Sequence, residues 1–255
     1  MPPRSPLTIF THIDKTAGTS FVDALIRSNI PSDRIFICVG VRSFIEGLRR
    51  DSLFISGHTP YGLHILTRRP AEYITFLRDP IDRAVSHYYF ARESDGSRGL
   101  RHPLCALANS VDIVEFYKRR NVQNLQTRFI AGQAAFYLYP KIPTPRFERH
   151  MLNQAIENLT NRFVCFGLQE RFEESVLLFR RQFEWKPAVQ VEQKMKTQKR
   201  ADLRDLPEAT IIALRKTNAL DIALYEIAQA RFERMLAANP ITDDWQLAGA
   251  GLAPS

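Results

Sequence analysis

Between residues 7 and 92 the chain alternates short apolar runs with helical periodicity. Few folds accommodate that alternation. Strand patterns run from Leu7 to His12, Arg34 to Val39, Leu53 to Gly57 and Glu72 to Leu77. Helical patterns run from Ser20 to Asn29, with Phe21, Leu25 and Ile26 on one side, from Val41 to Arg50, and from Pro80 to Arg92. Pro80 suits a first helical turn, where its missing N–H is not needed. Strands joined through helices run parallel, because such a crossover returns the chain to the same end of the sheet. The fold class predicted is α/β: a P-loop-like, three-layer arrangement with a central parallel sheet flanked by helices. Ligands of these sheets bind at the carboxyl ends of the strands.

Downstream the pattern loosens. Arg92 to Pro103 reads as an exposed loop, and 134–145, with three prolines among aromatics, as a loop or lid. Helices are expected from Val111 to Arg119, Asn121 to Ile130, Glu170 to Phe183, Pro207 to Asn218 and Leu220 to Ala237, with a buried strand from Phe163 to Gly167. One domain is expected over 1–240, with 92–150 as an acceptor-binding insertion or lid and 241–255 as a C-terminal tail. At 255 residues and 45% hydrophobic the chain can bury a full core. Its net charge of +8 favours anionic partners without choosing among them. Cys38, Cys105 and Cys165 show no paired spacing and read as buried free thiols. No apolar run reaches the roughly 18–20 residues of a membrane span. The amino terminus lacks a signal-peptide core, so a cytoplasmic protein is expected.

Two strand ends carry chemistry. In the first, the strand ending near His12 runs into Asp14-Lys15-Thr16-Ala17-Gly18-Thr19-Ser20 and then a helix. Backbone N–H groups at a helix start, the helix dipole, a lysine and three hydroxyls make a cradle for phosphate or sulfate. Lys15 precedes Gly18 instead of following it, so the loop is not a Walker A motif. A plain turn with Lys15 in solvent is the competing reading. In the second, Arg78-Asp79-Pro80 follows a buried strand and Ser86 lies two turns along the next helix. Arg78 offers a planar fork for phosphate and Ser86 a hydroxyl to complete its shell. An Arg78–Asp82 ion pair at the helix start is the alternative.

Together the two segments resemble the signatures of carbohydrate sulfotransferases. His12-Ile13-Asp14-Lys15-Thr16-Ala17-Gly18-Thr19-Ser20 is similar to their H-x-P-K-T-A-G-T-S loop, with Asp14 where proline is usual. Arg78-Asp79-Pro80 with Ser86-His87-Tyr88 is similar to R-D-P-x-x-R-x-x-S-x-Y/H. Asn124–Arg128, Phe166–Phe172 and Asn218–Tyr225 also resemble recurring segments, and the branch resembled is that of heparan-type O-sulfotransferases and small bacterial relatives. The resemblance implies the donor 3′-phosphoadenosine 5′-phosphosulfate (PAPS, leaving as PAP). Lys15, Thr16, Ala17, Gly18, Thr19 and Ser20 would hold its 5′-phosphosulfate, and Arg78 and Ser86 its 3′-phosphate. Thr197 and Arg200 would lie in a covering loop. The acceptor implied is a hydroxyl of a carbohydrate or glycolipid, with peripheral membrane contact allowed, no nucleic acid and no metal.

Sulfuryl transfer also needs a base for the acceptor proton. An ordinary imidazole, with pKa of about 6.5, suits that work near neutral pH. Of six histidines, His58 follows a buried strand and is the expected base; His12 is the rival, though its place favours bracing the loop. Lys15 is expected to neutralise charge on the leaving oxygen. The rival functions are a nucleotide kinase, which should show Walker A order, and a polyanion binder, which should show a basic stripe with interleaved aromatics.

Overall fold

A computed structural model describes residues 6–66, 70–96, 101–142, 144–187 and 201–239. Five strands form one sheet in the order β2-β3-β1-β4-β5: β1 (Leu7–Thr11), β2 (Ile35–Cys38), β3 (Phe54–Gly57), β4 (Ala71–Leu77) and β5 (Phe163–Leu168). All four pairings are parallel. Helices α1 (Gly18–Phe21), α2 (Arg27–Asn29), α3 (Gly40–Arg49) and α4 (Pro80–Glu93) make the early connections. A π-helical turn, Val22–Ile26, joins the first two. There follow α5 (Cys105–Ser110), α6 (Ile113–Tyr117), α7 (Leu125–Ala131), α8 (Gln133–Leu138), α9 (Pro145–Asn161), α10 (Phe172–Phe183), α11 (Glu208–Thr217) and α12 (Ala219–Ala238). The predicted three-layer α/β class is what the chain adopts.

Aromatic packing fixes helices to both faces of the sheet. On one face Phe10 of β1 and Phe76 of β4 meet Phe21 of α1 and Phe179 of α10, with ring centroids 4.7–5.3 Å apart. On the other, Phe166 of β5 meets Phe232 of α12, and Tyr73 of β4 meets Tyr61 and Phe163. Each such ring taken from water contributes about 1.5–3 kcal/mol, so this aromatic seam is a main source of sheet stability.

One expectation needs correction. The 134–145 stretch is not an irregular loop: α8 occupies Gln133–Leu138, and Pro145 is the first residue of α9, capped by Thr144, whose hydroxyl accepts from the Phe147 N–H. Proline at the start of a helix costs no hydrogen bond, so its presence there signals a beginning. Helix α5 begins at Cys105, after the 92–103 stretch read as exposed loop. The three cysteines are free and buried, as expected. Among the described residues no helix is long and apolar enough to cross a membrane. The 241–255 tail and the 191–200 stretch lie outside the described residues.

The strand order sets the place of the site. The chain leaves β1 for the edge, returns through β3, and then crosses β1 to reach β4. Connections therefore diverge from the carboxyl end of β1, which opens a crevice there. Register puts Thr11 beside both Gly57 and Thr75, so the residues that follow β1, β3 and β4 emerge together.

Candidate active site

The loop after β1 is held in an uncommon shape. Lys15 and Ala17 both adopt left-handed backbone, with φ of 68° and 66°, whereas Thr16 between them does not. Alternation of this kind turns successive N–H groups toward one point, a concavity suited to an anion. Each left-handed non-glycine residue costs about 1–2 kcal/mol, so other contacts must impose the shape. Three do so. The Thr16 hydroxyl donates to the Ile13 carbonyl at 2.9 Å, and the Arg78 Nη1 donates to the Lys15 carbonyl at 3.0 Å. The third is the His12 ring, which lies on Gly18 so closely that a Cβ there would stand 2.3 Å from its Cδ2. No side chain caps the helix start at Ala17, so the positive end of the helix dipole faces the same concavity. Thr19 is exposed and Ser20 half-buried at that rim, whereas Thr16 is fully buried with its hydroxyl proton committed to the loop. The Lys15 ammonium sits 4.2 Å over the Phe90 ring of α4.

Arg78 ends β4 inside the protein, with 6% of its surface exposed. Its guanidinium pairs with Asp82, Nε donating at 2.7 Å, so the alternative ion pair is present. The helix cap itself is Asp79, whose carboxylate accepts from the Ile81 and Asp82 N–H groups at 3.0 and 2.8 Å. Burial first of all lowers the Arg78 pKa, to about 10, which leaves it charged at neutral pH. Arg78 therefore braces the first loop through Lys15 while keeping a cation at the strand end. Ser86 is buried on α4, two turns on.

Residues far away in sequence hold this turn. The Gln126 side chain clasps Arg78 at both backbone groups: Oε1 accepts from its N–H and Nε2 donates to its carbonyl, each at 2.9 Å. Glu170 accepts from the Asp79 N–H at 2.8 Å and from the Tyr225 hydroxyl at 2.6 Å. Asp221 caps α7 by accepting from the Gln126 and Thr127 N–H groups, and Asn124 caps α12 by accepting from Leu220 and Asp221. In the sequence these residues stand inside the segments that resemble recurring ones, with nothing local to give them a task. Their shared task is to fix the turn that carries Arg78.

Three histidines meet near the loop, and their surroundings separate them. His12 is stacked between Phe10 and His58, and burial, with His58 adding to it, drives its pKa down to about 3. His87 is buried against Tyr117 and is likewise lowered to about 3, by burial first and then by Arg83. Both stay neutral at physiological pH and are poor proton acceptors. His58 differs: its side chain is 41% exposed and its Nδ1 lies 2.8 Å from the His12 carbonyl. A carbonyl can only accept, so Nδ1 carries the proton and Nε2 is left with its lone pair free to take one.

His87 has a measurable consequence. Its folded-state pKa lies below the 6.5 of an unfolded histidine, so the unfolded chain gains a proton on acidification before the native protein does, and stability falls with pH from about 6.5 downward. Urea unfolding at pH 7 and pH 5 is expected to differ by about 2 kcal/mol on account of this residue. In His87→Gln that part of the difference should vanish; a pH dependence identical to wild type would refute it.

Arg128 donates to the carbonyls of Asn121 at 2.8 Å and Phe136 at 2.9 Å and so stitches α7 to α8. Tyr139 is buried and its hydroxyl accepts from Asn124, whereas Tyr137 is 53% exposed. Thr197 and Arg200 lie outside the described residues. A family model described as galactose-3-O-sulfotransferase matches residues 41–241. That span takes in His58, Arg78, Gln126, Glu170 and Asp221 and begins after the Lys15 loop. Its description names galactose, where the sequence motifs resemble the heparan-type branch. No curated protein matches the chain.

Proposed function

The chain belongs to the galactose-3-O-sulfotransferase family, and from that premise we propose that it moves a sulfuryl group from PAPS to a hydroxyl of a galactose-bearing glycan or glycolipid. The observation that carries the reading is the cross-brace from the Arg78 guanidinium to the Lys15 carbonyl. It ties two cationic strand-end turns into one unit beside a histidine whose Nε2 is free. A nucleotide with phosphate at both ends of its ribose fits that chemistry: left-handed backbone at Lys15 and Ala17 for one anion, Arg78 and Ser86 for the other. Thr19 and Ser20 add hydroxyls at the rim, and Gly18 lets the backbone come close.

When bound, the donor supplies an electrophilic sulfur and a phosphate leaving group. The protein's part is positioning and charge, as in phosphoryl transfer. Lys15 and the N–H groups of the loop offset negative charge that grows toward the donor side. His58 Nε2 takes the acceptor's hydroxyl proton, while its Nδ1–H stays on the His12 carbonyl and fixes the ring. His12, held neutral, acts as the floor under that ring. The acceptor enters at the exposed mouth.

The reading is tested by calorimetry with PAP and with ATP, followed by transfer of labelled sulfate from PAPS to galactose-terminated glycans and glycolipids. PAP binding without magnesium and label on a galactose hydroxyl are expected. Magnesium-dependent ATP binding with none to PAP would overturn it in favour of a kinase.

A further inference from the structure

The resemblance of the first loop to the sulfotransferase signature fails at one position, Asp14, and the structure gives that residue a partner. Asp14 Oδ1 lies 3.4 Å from His58 Nδ1, the same nitrogen that donates to the His12 carbonyl. Both side chains reach the mouth of the site, Asp14 with 36% and His58 with 41% of its surface exposed. Proline offers no acceptor, so this contact exists only because aspartate stands here.

We propose that Asp14 is a positioning residue for His58: with the His12 carbonyl it holds the ring with Nδ1–H inward, and it provides the counter-charge for the imidazolium formed in the transfer step. The proposal rests on the sulfotransferase reading for that step. There the acceptor O–H bond breaks, its proton passes to His58 Nε2, and the oxygen pair forms the new O–S bond as the bond from sulfur to the donor phosphate breaks. No atom changes oxidation state. The imidazolium that results faces Asp14, which stays a carboxylate throughout.

The surroundings support an ionised Asp14. Desolvation alone would raise its pKa, but the cationic groups around it, His58 foremost, outweigh that and hold it below the ordinary carboxylate range. Lys15 and His102 also face this cluster, through their charge on His87 and, for His102, that of Asp14 on it. His12 and His87, both driven to about 3, carry no charge at neutral pH. His58 is therefore the histidine whose charging Asp14 can answer during turnover. The 3.4 Å separation is long for a hydrogen bond, and such contacts tighten when the ring becomes cationic.

Two measurements test this separately from the reaction assigned to the site. In ligand-free protein, NMR of the Asp14 carboxyl carbon is expected to show titration below the ordinary range in wild type and a midpoint moved upward in His58→Gln. An unmoved midpoint overturns the pairing whatever the enzyme does. In turnover, Asp14→Asn is expected to lower kcat about tenfold to a hundredfold with acceptor KM within about threefold. Asp14→Glu should recover part of that loss. A loss expressed only in KM, or an unchanged kcat, overturns the positioning role; absence of transfer by wild type beside a shifted Asp14 midpoint would place the error in the reaction instead.

Discussion

Replacing His58 with alanine is expected to lower kcat by about a hundredfold to ten-thousandfold, the usual contribution of a positioned general base. The ring is fixed from one side by the His12 carbonyl at 2.8 Å and from below by the His12 imidazole, with centroids 4.6 Å apart. Alanine removes both the base and one layer of that stack. Because the lost group sits at the exposed mouth, the fold should tolerate the change and PAP affinity should stay within about threefold. Added imidazole should restore part of the rate. Single-turnover sulfate transfer measures the effect, and near-full turnover by the variant would reassign the base.

Lys15→Met is expected to cost about a hundredfold to a thousandfold in kcat, or roughly 2.7–4 kcal/mol, the scale of removing one preorganised charge from a transition state. Methionine keeps most of the apolar stem and removes only the ammonium that stands over Phe90. The loop also keeps its shape, because Arg78 holds it through the backbone carbonyl of residue 15. The loss should therefore appear in kcat more than in the dissociation constant of PAP, measured by calorimetry. Unaltered kcat with weakened PAP binding would make Lys15 a binding group alone.

Much of the architecture is legible in the sequence because the signal is local. Phe21, Leu25 and Ile26 fall on one face at helical spacing and all three are fully buried. Lys15, His58 and Arg78 each follow a strand, and a parallel sheet gathers such residues at one edge. Helix α9 is harder to read, although Met151, Ala155 and Leu159 recur at its buried spacing. The prolines before it read as loop, when Pro145 marks a helix start. Gln126, Glu170 and Asp221 lie inside segments that resemble recurring ones, but no local pattern in the residues says what they do. Their partners are backbone groups at Arg78, Asp79 and Thr127, 48, 91 and 94 positions away, and hydrogen bonds to a main chain leave no pattern in the residue types they serve. Asp14 was visible as a departure from a signature, but its meaning needed the distance to His58.

The bond from Arg78 to the Lys15 carbonyl spans 63 positions and joins the first strand's loop to the fourth strand. The strained shape of residues 15–17 is thus a property of the finished sheet, since the local sequence alone favours relaxed turns. A chain stopped or damaged before β4 would carry the whole first motif and yet offer no cradle. Anion binding at this loop accordingly reports that folding is complete, and a tight ligand, by binding only the native form, would select intact molecules from a mixed population.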